Sequence, residues 1–177
     1  MDNFGEAPDF DTGLFVEGEI MKGTDMFTAL QEQLKDGGLV FRAYDDELCV
    51  EFKIAGGALT TYYVVTAVPD ENALVLVSQL PFTVPLDSKE AKDNVLEVIT
   101  AINDMLDFGE FVFSPGKGAL YYTQRLKCPG GRAEKKDVEL FLHSSIAVAS
   151  GFCTKLFLLS QGLADVQDVL RAPENVV

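Results

Sequence analysis

The clearest hydrophobic rhythm in the chain lies between Leu86 and Lys127. Apolar residues fall at Ala91, Val95, Val98, Ile102 and Met105, with Ile99 and Leu106 widening the stripe. Spacing of three and four marks a helix with one face turned to a core. Asp87 is placed to cap its start, with Glu90 three residues on in a capping-box arrangement. Gly109 follows the last apolar turn, where a left-handed residue ends a helix. Beyond it, Glu110 to Ser114 and Ala119 to Lys127 predict a hairpin around Pro115–Gly116–Lys117–Gly118.

The same reading extends to both sides. Thr24 predicts the cap of a first helix running to about Lys35, with Met26, Phe27, Leu30 and Leu34 on one face and Gly37–Gly38 as its stop. Strands follow. Leu39 to Tyr44 is a short one, and Asp45–Asp46 makes the turn. In Glu47 to Ile54, Leu48, Val50, Phe52 and Ile54 alternate with Glu47, Cys49, Glu51 and Lys53, the pattern of one buried and one wet face. Gly56–Gly57 signals a hairpin into Ala58 to Val68, and Pro69 to Asn72 turns the chain into Ala73 to Val84. These are the strands of an antiparallel meander.

After the second hairpin, Cys128 to Arg132 reads as a loop and a long helix begins near Ala133. Val138, Leu142, Ser145, Ala149, Phe152, Leu156 and Leu159 repeat at alternating four and three. Phe141, Ile146, Val148, Cys153 and Phe157 make its second half apolar nearly all round, so it must be covered on more than one side. Gly162 breaks it, and Ala164 to Leu170 predicts a last short helix. Segregated runs of strands and helices imply an α+β fold, an antiparallel sheet with helices packed on one face, in the order α-β-β-β(-β)-α-β-β-α. Residues 1–21 read as an acidic, partly mobile arm with a docked portion near Leu14 to Ile20. Residues 22–171 form one domain and 172–177 a frayed tail.

Composition sharpens this further. At 177 residues and 47% hydrophobic, the chain can bury one sizeable core. Its net charge of -14 repels nucleic acid backbones and anionic membranes, so neither is an expected partner. The most apolar window, Leu140 to Leu159, is interrupted by His143, Ser144, Ser145, Ser150, Gly151 and Lys155, too polar for a membrane span. Cys49, Cys128 and Cys153 are odd in number and far apart. With no signal peptide, they point to a reducing cytoplasm.

Candidate chemistry is sparse. One histidine, His143, and no C-x-x-C pair argue against a zinc site, and no metal or other cofactor is expected. Gly116–Lys117–Gly118 lacks the pattern of a phosphate loop and reads as a turn. Asp45, Asp46 and Glu47 lack calcium-loop spacing. His143 sits beside Ser144 and Ser145, but adjacent helical residues diverge, so no nucleophile–base pair is formed. Cys153 reads as a small core residue. The pairs Tyr62–Tyr63 and Tyr121–Tyr122 lie on strands, so the members of each point to opposite faces. No catalytic residue is assigned.

The segment Ile102–Asn103–Asp104–Met105–Leu106–Asp107–Phe108–Gly109–Glu110–Phe111, followed by Tyr121, Tyr122 and Arg125 on the second strand and a long apolar helix, resembles the YbjN-like family of bacterial sensory transduction regulators. The likeness is close over Ala91 to Phe152 and looser over Leu39 to Leu159. The family often carries a second asparagine upstream on the helix, where this chain has Ile99 and Thr100. The resemblance implies a fold similar to type III secretion chaperones, which are small, acidic, cytoplasmic homodimers that hold an extended segment of a client.

The resulting expectation is a non-enzymatic protein-binding module, regulatory or chaperone-like. It would act as a homodimer, with Ile146, Ala149, Phe152, Leu156 and Phe157 as the partner or dimer surface. Two alternatives remain. One is a small-ligand or enzymatic site under the sheet using His143, Tyr122 and Arg125. The other is a domain whose only role is assembly within a larger complex.

Overall fold

The chain builds one six-stranded sheet in a computed structural model that describes residues 17–56 and 59–171, with side chains described from residue 25. In order it contains α1 (Glu17–Asp36), β1 (Phe41–Tyr44), β2 (Cys49–Gly56), β3 (Leu59–Val68), β4 (Ala73–Thr83), α2 (Lys89–Met105), β5 (Glu110–Ser114), β6 (Ala119–Lys127), α3 (Lys135–Ser160) and α4 (Val166–Leu170). Every pairing is antiparallel, in the order β1-β2-β3-β4-β6-β5. After α1 come four strands, then a helix, a hairpin and the long helix. This is the expected α+β arrangement.

The alternation in the sequence becomes the two faces of this sheet. Inward, Phe52, Tyr63, Ser78, Tyr122 and Phe111 form one row across five strands, because Phe52 faces Tyr63, Tyr63 faces Ser78, Ser78 faces Tyr122 and Tyr122 faces Phe111. The Phe52 and Tyr63 rings stack at 5.0 Å, and Phe111 lies 5.2 Å from Tyr122. Cross-strand aromatic pairs of this kind pin the register, since a slip of one residue would turn the whole set to the wrong face. Against this face pack Met26, Leu30 and Leu34 of α1, Val95, Val98 and Ile102 of α2, and Val138, Leu142, Leu156 and Leu159 of α3, all buried.

Helix boundaries differ from expectation at three places. α1 begins at Glu17, so Thr24 lies within the helix and residues 17–21 belong to it. The rest of the expected arm, residues 1–16, lies outside the described residues, as does the tail 172–177. α2 is capped by Ser88, whose Oγ accepts from the Ala91 N–H at 3.1 Å; Asp87 is one residue too early and forms no capping box. α2 ends at Leu106 in an extended conformation, so Gly109 does not terminate it. The stop after α1 is as expected: Gly38 takes φ +68°, and Leu39 N–H reaches Leu34 O at 3.0 Å in a Schellman closure.

α3 is the one described helix long and apolar enough to cross a membrane by length and composition, with a mean hydropathy of 1.4 over its best window. In the folded chain one of its sides lies on the sheet, and 33% of that window is buried. Ser150 Oγ lies 3.0 Å from Tyr63 Oη on β3, and Ser145 reaches β6, so α3 crosses β4 between them.

Candidate functional site

Two groups of residues outside ordinary packing stand out. One is a buried polar belt under α3, and the other is the sheet face that no helix covers.

In the belt, Gln124 is the hub. Its Oε1 accepts from Tyr122 Oη at 2.8 Å and from Ser145 Oγ at 2.8 Å, while its Nε2 donates to Ser144 Oγ at 3.2 Å. Phe108 O also lies 3.2 Å from Tyr122 Oη, but the phenol has one proton and the shorter contact to Gln124 is the better donor path. Burial pushes the Tyr122 phenol up to about 12, with the Ser145 hydrogen bond offsetting part of that effect. Burial raises Tyr63 in the same way, partly offset by Ser150. A polar group removed from water has to be paired, and these side chains pair with one another across the α3–sheet contact. The belt fixes where α3 sits. It offers no reacting group near neutral pH.

The alternative catalytic set does not converge. Tyr122 faces the core, whereas Arg125, an odd number of residues along the same strand, points outward and forms an ion pair with Glu71. His143 is exposed on α3. Cys49, Cys128 and Cys153 are free and buried, and burial raises all three thiols, which favours the unreactive protonated form. Among the described residues no group of three His, Cys, Asp or Glu is placed to hold a metal ion. Asp45 to Glu47 form a 3₁₀ turn, and Pro115 to Gly118 form the β5–β6 turn.

The expected partner surface on α3 divides. Ala149 and Leu156 are 0% exposed in the single chain, because their side of the helix is the one turned to the sheet. Ile146, Phe152 and Phe157 are half-buried. Phe152 packs edge-on to Phe111 at 5.9 Å, and Phe157 edge-on to Phe82 at 5.6 Å. The second apolar side of α3 is thus largely met by other parts of the same chain, including α2 and α4.

The outer sheet face is different. Lys53, Tyr62, Gln79, Tyr121 and Val112 form one outward row from β2 to β5, and Glu51, Val64, Val77, Thr123 and Glu110 form the next. Tyr62 is 49% exposed, Val112 41% and Val77 38%. The Lys53 ammonium stands 4.9 Å from the centre of the Tyr62 ring, a cation–π arrangement. Pairing of β4 with β6 shifts between Gln79 and Thr83, and beside this irregularity a depression of about 280 Å³ is lined by Tyr62, Gln79, Leu80 and Pro81. No family model, curated protein or solved structure matches this chain.

The two sheet edges are also unequal. On β5, the Asn103 amide donates from Nδ2 to Phe111 O at 2.9 Å and accepts the Phe111 N–H at 2.7 Å. The side chain occupies the place of a neighbouring strand, so this edge is closed at its centre. At the other edge β1 pairs with Cys49–Phe52, and among the described residues no strand flanks the Lys53–Gly56 half of β2 on that side. Apolar periodicity along α2 does not reveal the pairing of Asn103 with Phe111. Its position one turn before the helix end, eight residues from a strand residue, was the available signal.

Proposed function

We propose that the chain is a non-enzymatic protein-binding module that holds an extended protein segment against the outer face of its sheet. The observation that carries this reading is a six-stranded sheet covered by helices on one side only, with Tyr62, Val77 and Val112 exposed near the middle of the other. Monomeric proteins rarely leave a contiguous apolar patch without a use. The six strands hold 4, 8, 10, 11, 5 and 9 residues, so at about 3.3 Å rise and 4.8 Å spacing this face measures roughly 700 Å². An extended peptide segment lies along part of such a face. The half-open β1–β2 edge adds unpaired main-chain groups beside the same face, which an extended segment can use.

The resemblance to the YbjN-like family supports the rest of the proposal: a bacterial, cytoplasmic module, regulatory or chaperone-like, acting as a homodimer. The helical side retains exposed Leu96, Met105, Phe108 and Leu140, and a second copy seated there would leave the sheet face to the client. Light scattering is expected to give twice the chain mass of 19.3 kDa, and a monomer at all concentrations would remove the dimer from the proposal. The docking reading is tested by Val77→Lys with Val112→Lys. The pair is expected to abolish capture of a purified partner while leaving the circular dichroism spectrum unchanged. Full retention of binding by a folded variant would overturn it.

A further inference from the structure

The sheet ends at β5, and a single side chain meets its outer edge at the centre. Asn103 Nδ2 donates to Phe111 O at 2.9 Å, and its Oδ1 accepts the Phe111 N–H at 2.7 Å. A primary amide carries a carbonyl acceptor and N–H donors, so it presents to a strand the same two groups that a neighbouring strand presents. The fold holds this amide in place. The short return from Leu106 to Gly109 brings the end of α2 back beside β5, and Gly109, at φ +72°, lies too close to Tyr122 for a Cβ.

Main-chain direction alternates along an antiparallel strand. Phe111 turns its N–H and C=O away from β6 and toward Asn103, so Phe113 turns its own pair outward as well. Among the described residues nothing bonds to the outward pair of Phe113. Outward pairs two residues apart are the repeat of an antiparallel ladder, and Asn103 occupies one of them.

Without that amide the strand is self-complementary. About a two-fold axis through Val112, two copies of β5 set Phe111 against Phe113, Val112 against Val112 and Glu110 against Ser114. No like charges face each other in this register, although the whole chain carries -14. Val112, 41% exposed, would lie against its own copy. An aromatic and β-branched strand with an open edge is a template for pairing with another chain.

We propose that Asn103 is an edge lock: by holding the outward main-chain groups of Phe111, it keeps two copies of the chain from joining β5 to β5 in one continuous sheet. Such a junction is distinct from a dimer through the helical side, and the lock is independent of what the outer face binds.

Hydrogen exchange on the full wild-type chain gives the first test. The Phe111 amide is expected to exchange more slowly than the Phe113 amide by about tenfold or more. Equal exchange at the two positions would overturn the lock. Light scattering gives the second, in about 1 M salt, where charges are screened beyond roughly 3 Å. Asn103→Ala is expected to rise with concentration to about twice the wild-type mass, with its Phe113 amide becoming protected as it does so. Gly38→Ala, at the turn between α1 and β1, is expected to keep the wild-type mass. Adding Val112→Lys to Asn103→Ala is expected to restore that mass, because a lysine on an edge strand opposes pairing. Should Asn103→Ala fail to fold by circular dichroism, Asn103→Asp, which keeps the acceptor and loses the donor, is read in the same way. Wild-type mass at all concentrations, equal association by Gly38→Ala, or association that survives Val112→Lys would each overturn the lock.

Discussion

Gly38 and Gly109 adopt nearly the same left-handed backbone, at φ +68° and +72°, yet their surroundings differ. A Cβ at Gly38 would meet nothing within 4 Å, whereas one at Gly109 would fall against Tyr122 Oη and within 2.8 Å of Thr123 O. Gly38→Ala is expected to cost about 1 kcal/mol, the conformational penalty alone. Gly109→Ala adds overpacking of roughly 1–3 kcal/mol and disturbs the Tyr122 hydroxyl. Urea denaturation of the two variants checks the difference, and equal losses would contradict it. Asn103→Ala removes both bonds to Phe111 and is expected to cost about 1–2 kcal/mol in the same assay. Tyr122 gives a pH signature. Its phenol is raised from 10.0 to about 12 by burial, so the unfolded chain releases this proton before the folded chain does. The contribution to stability is full below about pH 10 and falls by roughly 2–3 kcal/mol as pH rises through 12. Tyr122→Phe is expected to flatten that part of the stability profile, as read by urea midpoints against pH.

Among the elements, the strands were legible because their two-residue alternation survives folding unchanged: Val50, Phe52, Val65 and Leu76 face in, while Lys53, Tyr62 and Val77 face out. Helix ends were less legible. α1 begins ahead of Thr24 even though Gly18 and Gly23 lower its helix propensity, and Ser88 displaces Asp87 because the chain enters α2 one residue later. The role of α3 was half legible. Its seam of Val138, Leu142, Ser145 and Ala149 was correct, but the next buried position is Cys153, with Phe152 turned toward Phe111. A one-residue choice of this kind depends on what lies opposite, which periodicity does not contain. The belt joining α3 to β6 was not foreseen, because Gln124 sits on a strand as an apparently ordinary polar residue. Gln124→Ala is expected to cost about 1–3 kcal/mol by leaving buried hydroxyls without an acceptor. Combining it with Ser145→Ala is expected to cost less than the sum of the single changes, since the partner left behind is also gone. Strict additivity in a double-mutant cycle would contradict the network.

At the scale of the molecule, one sheet face builds the core, and among the described residues no helix covers the other. The sequence placed the contact surface on α3 because that helix is apolar nearly all round. Folding uses much of that apolar surface internally, through Ala149 and Leu156 against the sheet and Phe152 and Phe157 against neighbouring rings. The outer face escaped notice because its residues are spread over five strands, with no two adjacent in the chain. Only the strand order brings Lys53, Tyr62, Gln79, Tyr121 and Val112 into one row. The central claim is that this row contacts a segment of another protein. The most direct measurement places a photo-crosslinking amino acid at Tyr62 or, in a separate chain, at Leu96 on the helical side, and maps the adducts formed in the source cell by mass spectrometry. The account predicts client peptides joined at position 62 and their loss when Val77 and Val112 are changed to lysine. Client adducts from position 96 alone, or none from position 62, would contradict it.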